Sequence, residues 1–183
     1  MFLLLGCVHN VDIFITGAEI APTMANGAAW DGPDNVPVEA RGLFDAALSH
    51  VDPSGQLFAA IGGAIDSATK PDAAGTAVLS PGLEMDPSTV LLPVVNDSLS
   101  PAWAELPVSR FGGVALNGKT VVRITLVDKD LQTDDPIGTI ELSASDLMKA
   151  EHSDGALVVD VSAQTSGQLK SVSVVVRESR SGE

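Results

Sequence analysis

Residues 120–130 read TVVRITLVDKD. Val122, Ile124 and Leu126 alternate with Arg123 and Thr125, so an extended backbone sends the first three to one face and the other two to the opposite face. One buried and one wetted face is the signature of an antiparallel sheet; a parallel strand covered on both sides reads as an unbroken apolar run. The same period of two recurs in VDIFIT (11–16), IGTIELS (137–143), ALVVDVS (156–162) and LKSVSVVVRE (169–178). GTAVL, TVLLPVV and WAELPVS add three more candidate strands, whose prolines suit sheet edges or strand ends. Asn117-Gly118, just ahead of TVVRITLV, has the form of a two-residue turn that would start a hairpin. About eight short strands separated by Gly, Pro, Asn and Asp clusters predict a mainly β, eight-stranded antiparallel sandwich.

One stretch departs from the period of two. Leu43, Ala47 and Val51, then Leu57, Ile61 and Ile65, recur every fourth residue, and Asp34-Asn35 before Pro37 and Asp52 before Pro53 suit helix starts. A helical hairpin over about 36–69, inserted between strands, is therefore expected, with Gly62-Gly63 weakening its second helix by about 1 kcal/mol per glycine.

Charge limits the partners. Among 183 residues, 24 acidic side chains face 10 basic ones, a formal charge of −14, and no basic run occurs. Nucleic acid would be repelled, and an anionic membrane could be approached only through an intervening cation. His9, His50 and His152 share no ligand spacing, and neither Gly-x-Ser-x-Gly nor His-Glu-x-x-His occurs, so the reading is a binding module and not an enzyme.

Within that acidic chain, DKDLQTDDPIG (128–138) places four carboxylates in eight positions. Asp128 and Asp130 continue the face of Val122, Ile124 and Leu126 as the strand leaves the core, and Asp134 or Asp135 can close from the far side of a short loop. Two carboxylates about 4 Å apart repel by roughly 4 kcal/mol at an effective dielectric of 20, so such a group is splayed, protonated or neutralised by a cation. Calcium, with six to eight oxygen ligands in variable geometry, suits loop carboxylates better than magnesium does. The alternative is a polar loop whose acids simply face water. An EF-hand is excluded, because its glycine and closing glutamate positions, counted from Asp128, hold Thr133 and Thr139.

ITLVDKDLQTDDPIG closely resembles the fifth strand, third loop and sixth strand of C2 domains, the calcium- and phospholipid-binding β-sandwiches. NDSLSPAW (96–103) resembles that family's Asn-x-Thr-x-Asn-Pro-x-Trp signature, with Ser98 for Thr and Ser100 for Asn, and GQLKSVSVVV fits its last strand. The resemblance implies a C2-like sandwich over residues 10–183 with calcium as cofactor. It implies Asp128, Asp130 and Asp135 as third-loop ligands, Asp72 of KPDAAGTAVL as a first-loop ligand and Asp31 of WDG as the early one. The helical insert would then sit within the first metal-side loop. Leu131, at the tip of the acidic loop, is a candidate lipid contact, and anionic phospholipid joined through calcium is the implied partner.

Near the N-terminus, LLGC, with Cys7 the one cysteine in the chain, resembles the lipobox of bacterial lipoproteins. Residues 1–9 are read as a lipobox-like segment with Cys7 as the lipidation site, on condition that the true start lies upstream, since six residues are too few for a complete signal. That implies a membrane-associated protein of the cell envelope. A second reading follows, in which a lipid-anchored sandwich and its helical insert bind a protein partner independently of calcium.

Overall fold

The computed structural model describes residues 10–27, 29, 30, 70–82, 86–105, 107–130 and 134–179. Eight antiparallel strands form two four-stranded sheets. β1 (Asn10–Ile20), β4 (Arg110–Ala115), β7 (Leu157–Asp160) and β8 (Leu169–Glu178) make one sheet in the order β4-β1-β8-β7. β2 (Ala73–Ser80), β3 (Ser88–Val95), β5 (Val121–Asp128) and β6 (Asp135–Ser143) make the other in the order β3-β2-β5-β6. The eight-stranded sandwich expected from the period of two is thus the observed architecture. The helical insert of 36–69 and the lipobox-like segment of 1–9 lie outside the described residues.

The alternation predicted for each strand sets the core. Val122, Ile124 and Leu126 of β5 are fully buried, as are Val11, Ile13 and Ile15 of β1, while Arg123 stands in solvent and pairs with Glu141 across β5 and β6. A bulge between Ile15 and Gly17 shifts the phase of β1, so that Ala18 and Ile20 again face inward. β3, which carries Pro93, is an edge strand, where a residue without an N–H does least harm to a ladder.

Trp103 links the two sheets. Its backbone N–H donates to the Thr16 carbonyl of β1 at 3.0 Å, and its indole Nε1 donates to the Pro93 carbonyl of β3 at 2.8 Å, with the ring buried between. Burying the ring with its one polar atom satisfied is the arrangement in which a tryptophan contributes most.

Two local expectations are corrected. WAELPVS is not a strand: Ala104 turns the chain at φ +51°, Pro107–Ser109 form a 3-10 turn, and β4 starts only at Arg110. Nor does Asn117-Gly118 close a hairpin, since β4 and β5 belong to different sheets and the turn carries the chain from one to the other. A type I′ hairpin turn needs positive φ at both central residues, and neither Asn117 nor Gly118 has it. Instead the Thr120 N–H donates to the Asn117 carbonyl and the Lys119 N–H to Asn117 Oδ1, a side-chain-supported turn that suits a crossing between layers.

The structure also adds α1 (Ala144–Glu151), which follows β6 directly. Ser143 caps it, accepting from the Asp146 N–H while the Asp146 carboxylate accepts from the Ser143 N–H. Ala144, Leu147 and Ala150 bury one face of it against the sandwich.

Gly75 of β2 has no room for a side chain against β5. An added Cβ would run into the Thr125 carbonyl oxygen and the Leu126 side chain, and that backbone oxygen cannot move without breaking the ladder. Gly75→Ala is expected to destabilise the protein by about 2 kcal/mol through this overpacking, read as a lower urea midpoint at unchanged slope.

Candidate metal centre

The inward row of β5 ends in an acid. Val122, Ile124, Leu126 and then Asp128 point to the same side, and because the strand is regular to its last residue the carboxylate of Asp128 is carried to the end of the core with no exposed surface. Asp128 is registered against Ala73 of β2 on one side and Asp135 of β6 on the other. The second of these pairings depends on a bulge. Leu126 lies opposite Gly138, Val127 opposite Pro136 and Asp128 opposite Asp135, so Ile137 is the extra residue that brings Asp135, rather than Pro136, across from Asp128.

Hydrogen bonds then tie three loops together at this end. The Asp72 N–H donates to Asp128 Oδ1 at 2.6 Å and the Lys129 N–H returns a bond to the Asp72 carbonyl at 3.0 Å. The Asp97 N–H donates to Asp72 Oδ1 at 2.8 Å, and the Ser98 N–H to the Pro71 carbonyl at 3.0 Å. Asp72 is therefore the hub between the entry to β2, the loop after β3 and the end of β5.

Asp128 is electrostatically costly. Its Oδ2 is buried without a hydrogen-bond partner. Burial, first of all, pushes its carboxyl up to about 6; the Asp72 N–H draws it back in part, and the charges of Asp130, Asp72 and Asp135 push it further up. Asp97 is raised too, by burial and then by the charge of Asp72, against a downward pull from Lys70. Lys129 and Asp134 form an ion pair with one another, and the family resemblance implies Asp135 and not Asp134 as the closing ligand.

Of the expected ligands, Asp72, Asp128, Asp130 and Asp135 come to the same end of the sandwich, near enough for the other three to act on Asp128. Asp31, the lipid-contact candidate Leu131 and the lipidation candidate Cys7 lie outside the described residues. Among the described residues no three Asp, Glu, His or Cys side chains stand together as a ready-made cage for one ion. The chemistry of the donors nonetheless fits a hard cation. The acidic side chains gathered here offer only oxygen, with no sulfur or imidazole among them, and one of their oxygens is buried without a hydrogen-bond partner.

Asp97 is the residue that sequence reasoning passed over. Its signal is in the chain, an aspartate in the Asn96-Asp97-Ser98 turn, but that turn reads as part of the sandwich signature. Only the bond to Asp72 relates it to the acids of β5.

No family model and no curated relative matches the chain. Among solved structures, a fragment of extended synaptotagmin 2 that comprises two C2 domains aligns over 93% of this chain and 41% of its own at 14% identity, TM-score 0.48. Human GIVD cytosolic phospholipase A2 aligns over 94% of this chain and 18% of its own at 12% identity, TM-score 0.46. BON1-C2B aligns over 92% of this chain and 89% of its own at 14% identity, TM-score 0.40. The chain thus spans less than half of the first two proteins it is similar to.

Proposed function

We propose that this protein is a calcium-binding module that attaches to anionic phospholipid when calcium is bound. The observation that carries the reading is the Asp128 carboxylate, buried at the end of the β5 core row with one oxygen unpartnered and with Asp72, Asp130 and Asp135 crowding it. A carboxylate in that setting is stabilised by a divalent cation, which supplies the missing partner and cancels the mutual repulsion. Asp31 would add the early first-loop ligand. Headgroup phosphates would complete the ion's coordination and Leu131 would enter the interface, so that a chain of formal charge −14 meets an anionic surface through the metal. A lipid on Cys7 would hold the module at the cell envelope.

Sedimentation with vesicles containing phosphatidylserine tests the reading. The protein is expected in the pellet with calcium and in the supernatant with chelator. An Asp128→Asn, Asp130→Asn double variant is expected in the supernatant under both conditions. Equal sedimentation of the unaltered protein with and without calcium, together with tight calcium binding in solution, would instead favour a sandwich that grips a protein partner through its insert.

A further inference from the structure

Residues 71–109 contain Asp72, Glu84, Asp86, Asp97 and Glu105 but no lysine, arginine or histidine. This stretch includes β3, an edge strand that pairs with β2 on one side and has no strand of the described residues against the other. Unpaired N–H and C=O groups along such an edge are a template for the addition of another strand. Pro93 has no N–H to offer there and its carbonyl accepts from the Trp103 indole, which closes the edge at that point. From Ser88 to Leu92 the strand carries no charge.

The side chains make the same edge apolar. Leu91 and Val94 are 64% and 49% exposed, and Val108, in the 3-10 turn that packs beside β3, is 53% exposed. Leu91, Pro93 and Val94 also border a groove of about 390 Å3 on the outer face of the sheet, which continues over Thr76 of β2 and Thr125 and Val127 of β5. Lys129, at its acidic end, is paired with Asp134. Large apolar side chains gathered at an open edge mark an interaction surface.

The charges around the strand decide between occupants. Asp86 precedes β3 and Asp97 follows it, so the apolar strip has a carboxylate at each end. A second copy is disfavoured, because twofold antiparallel pairing about the middle of β3 would set Asp86 of each copy against Asp97 of the other. Anionic lipid meets the same repulsion. We propose that β3 is a docking edge for an extended segment of a partner protein, apolar at alternate positions and basic at both ends. The backbone of that segment pairs with Ser88 to Leu92, its apolar side chains lie along Leu91 and into the groove, and its terminal lysines or arginines meet Asp86 and Asp97. The proposal does not depend on the calcium reading.

Fluorescence anisotropy tests it, with a labelled peptide of alternating valine and threonine that carries lysine at both ends, titrated with the full chain in the presence of chelator. Binding is expected, about tenfold tighter than that of the same peptide ending in glutamate, and it should weaken as salt is raised. Leu91→Lys, at a position already in solvent, should keep the parent's melting temperature and weaken the lysine-ended peptide about tenfold. Asp86→Lys should weaken it about threefold. N-methylation of alternate peptide nitrogens should abolish binding, since it removes the main-chain bonds. No binding of the lysine-ended peptide, equal binding of the two peptides, an unchanged affinity in Leu91→Lys or full binding of the N-methylated peptide would overturn the proposal. So would another occupant. A dimer of the parent in analytical ultracentrifugation that Leu91→Lys dissociates would assign the edge to a second copy, and sedimentation with phosphatidylcholine vesicles in chelator that Leu91→Lys abolishes would assign it to lipid.

Discussion

Trp103→Ala is expected to destabilise the protein by about 3–5 kcal/mol, lowering its melting temperature by roughly 10 °C. The ring is buried, so its removal takes away a large apolar surface and leaves a cavity between the sheets. The Pro93 carbonyl loses its indole donor at the same time, and a part-buried acceptor left without it adds to the cost. The Thr16 carbonyl keeps its partner, because the backbone N–H of residue 103 survives the change. Differential scanning calorimetry of the two proteins without calcium measures the difference; a shift below about 2 °C would show that the ring does not hold the layers together.

Asp128→Asn is expected to act in opposite directions with and without calcium. In the metal-free protein at pH 7 it should stabilise the fold by about 2 kcal/mol, because it removes a buried charge whose carboxyl is pushed up to about 6 and keeps Oδ1 as acceptor for the Asp72 N–H. Calcium binding should fall at least a hundredfold, since the deepest of the proposed ligands loses its charge. The same group predicts an unusual pH dependence. The folded protein holds a proton on Asp128 that the unfolded chain, near its model value of 3.8, has given up, so stability falls as pH rises from about 4 to about 6 and the loss is complete above that. Asp12 and Asp146 are depressed, the first held down by Ser179, Gly113 and Arg110 and the second by Ser143 and Lys149 against opposing burial. They contribute stability that is lost only at lower pH. Urea denaturation without calcium should therefore give a higher midpoint near pH 5 than near pH 7, and Asp128→Asn should flatten that slope. A parent midpoint that rises steadily from pH 5 to pH 7 would contradict the assignment.

The strands were legible because burial on one face imposes a local period. Val122, Ile124 and Leu126 sit in the core as their spacing required, and the same holds for Val11, Ile13 and Ile15. Where local signals misled, a non-local constraint had decided the outcome. β4 was hidden by Gly112 and Gly113, which have weak strand preference yet lie in a strand that pairs with β1, and Asn117-Gly118 became a crossing because its two flanking strands had partners in different sheets. α1 could have been found from Ser143 and Asp146, three residues apart in a capping box, followed by Leu147 and Ala150.

For the site, the sequence by itself determined which acids exist, that Asp128 continues an inward-facing row, and that so negative a chain needs a cation to meet an anionic surface. Tertiary structure alone decided how those acids are disposed: the bulge at Ile137 that sets Asp135 against Asp128, the register that puts Ala73 beside it, and the bond that brings Asp97 to Asp72. The physical reason is that a period of two specifies a face and nothing more. Which residue stands across from which is set by hydrogen-bond pairing between segments far apart in the chain, and a shift of one residue there exchanges an aspartate for a proline.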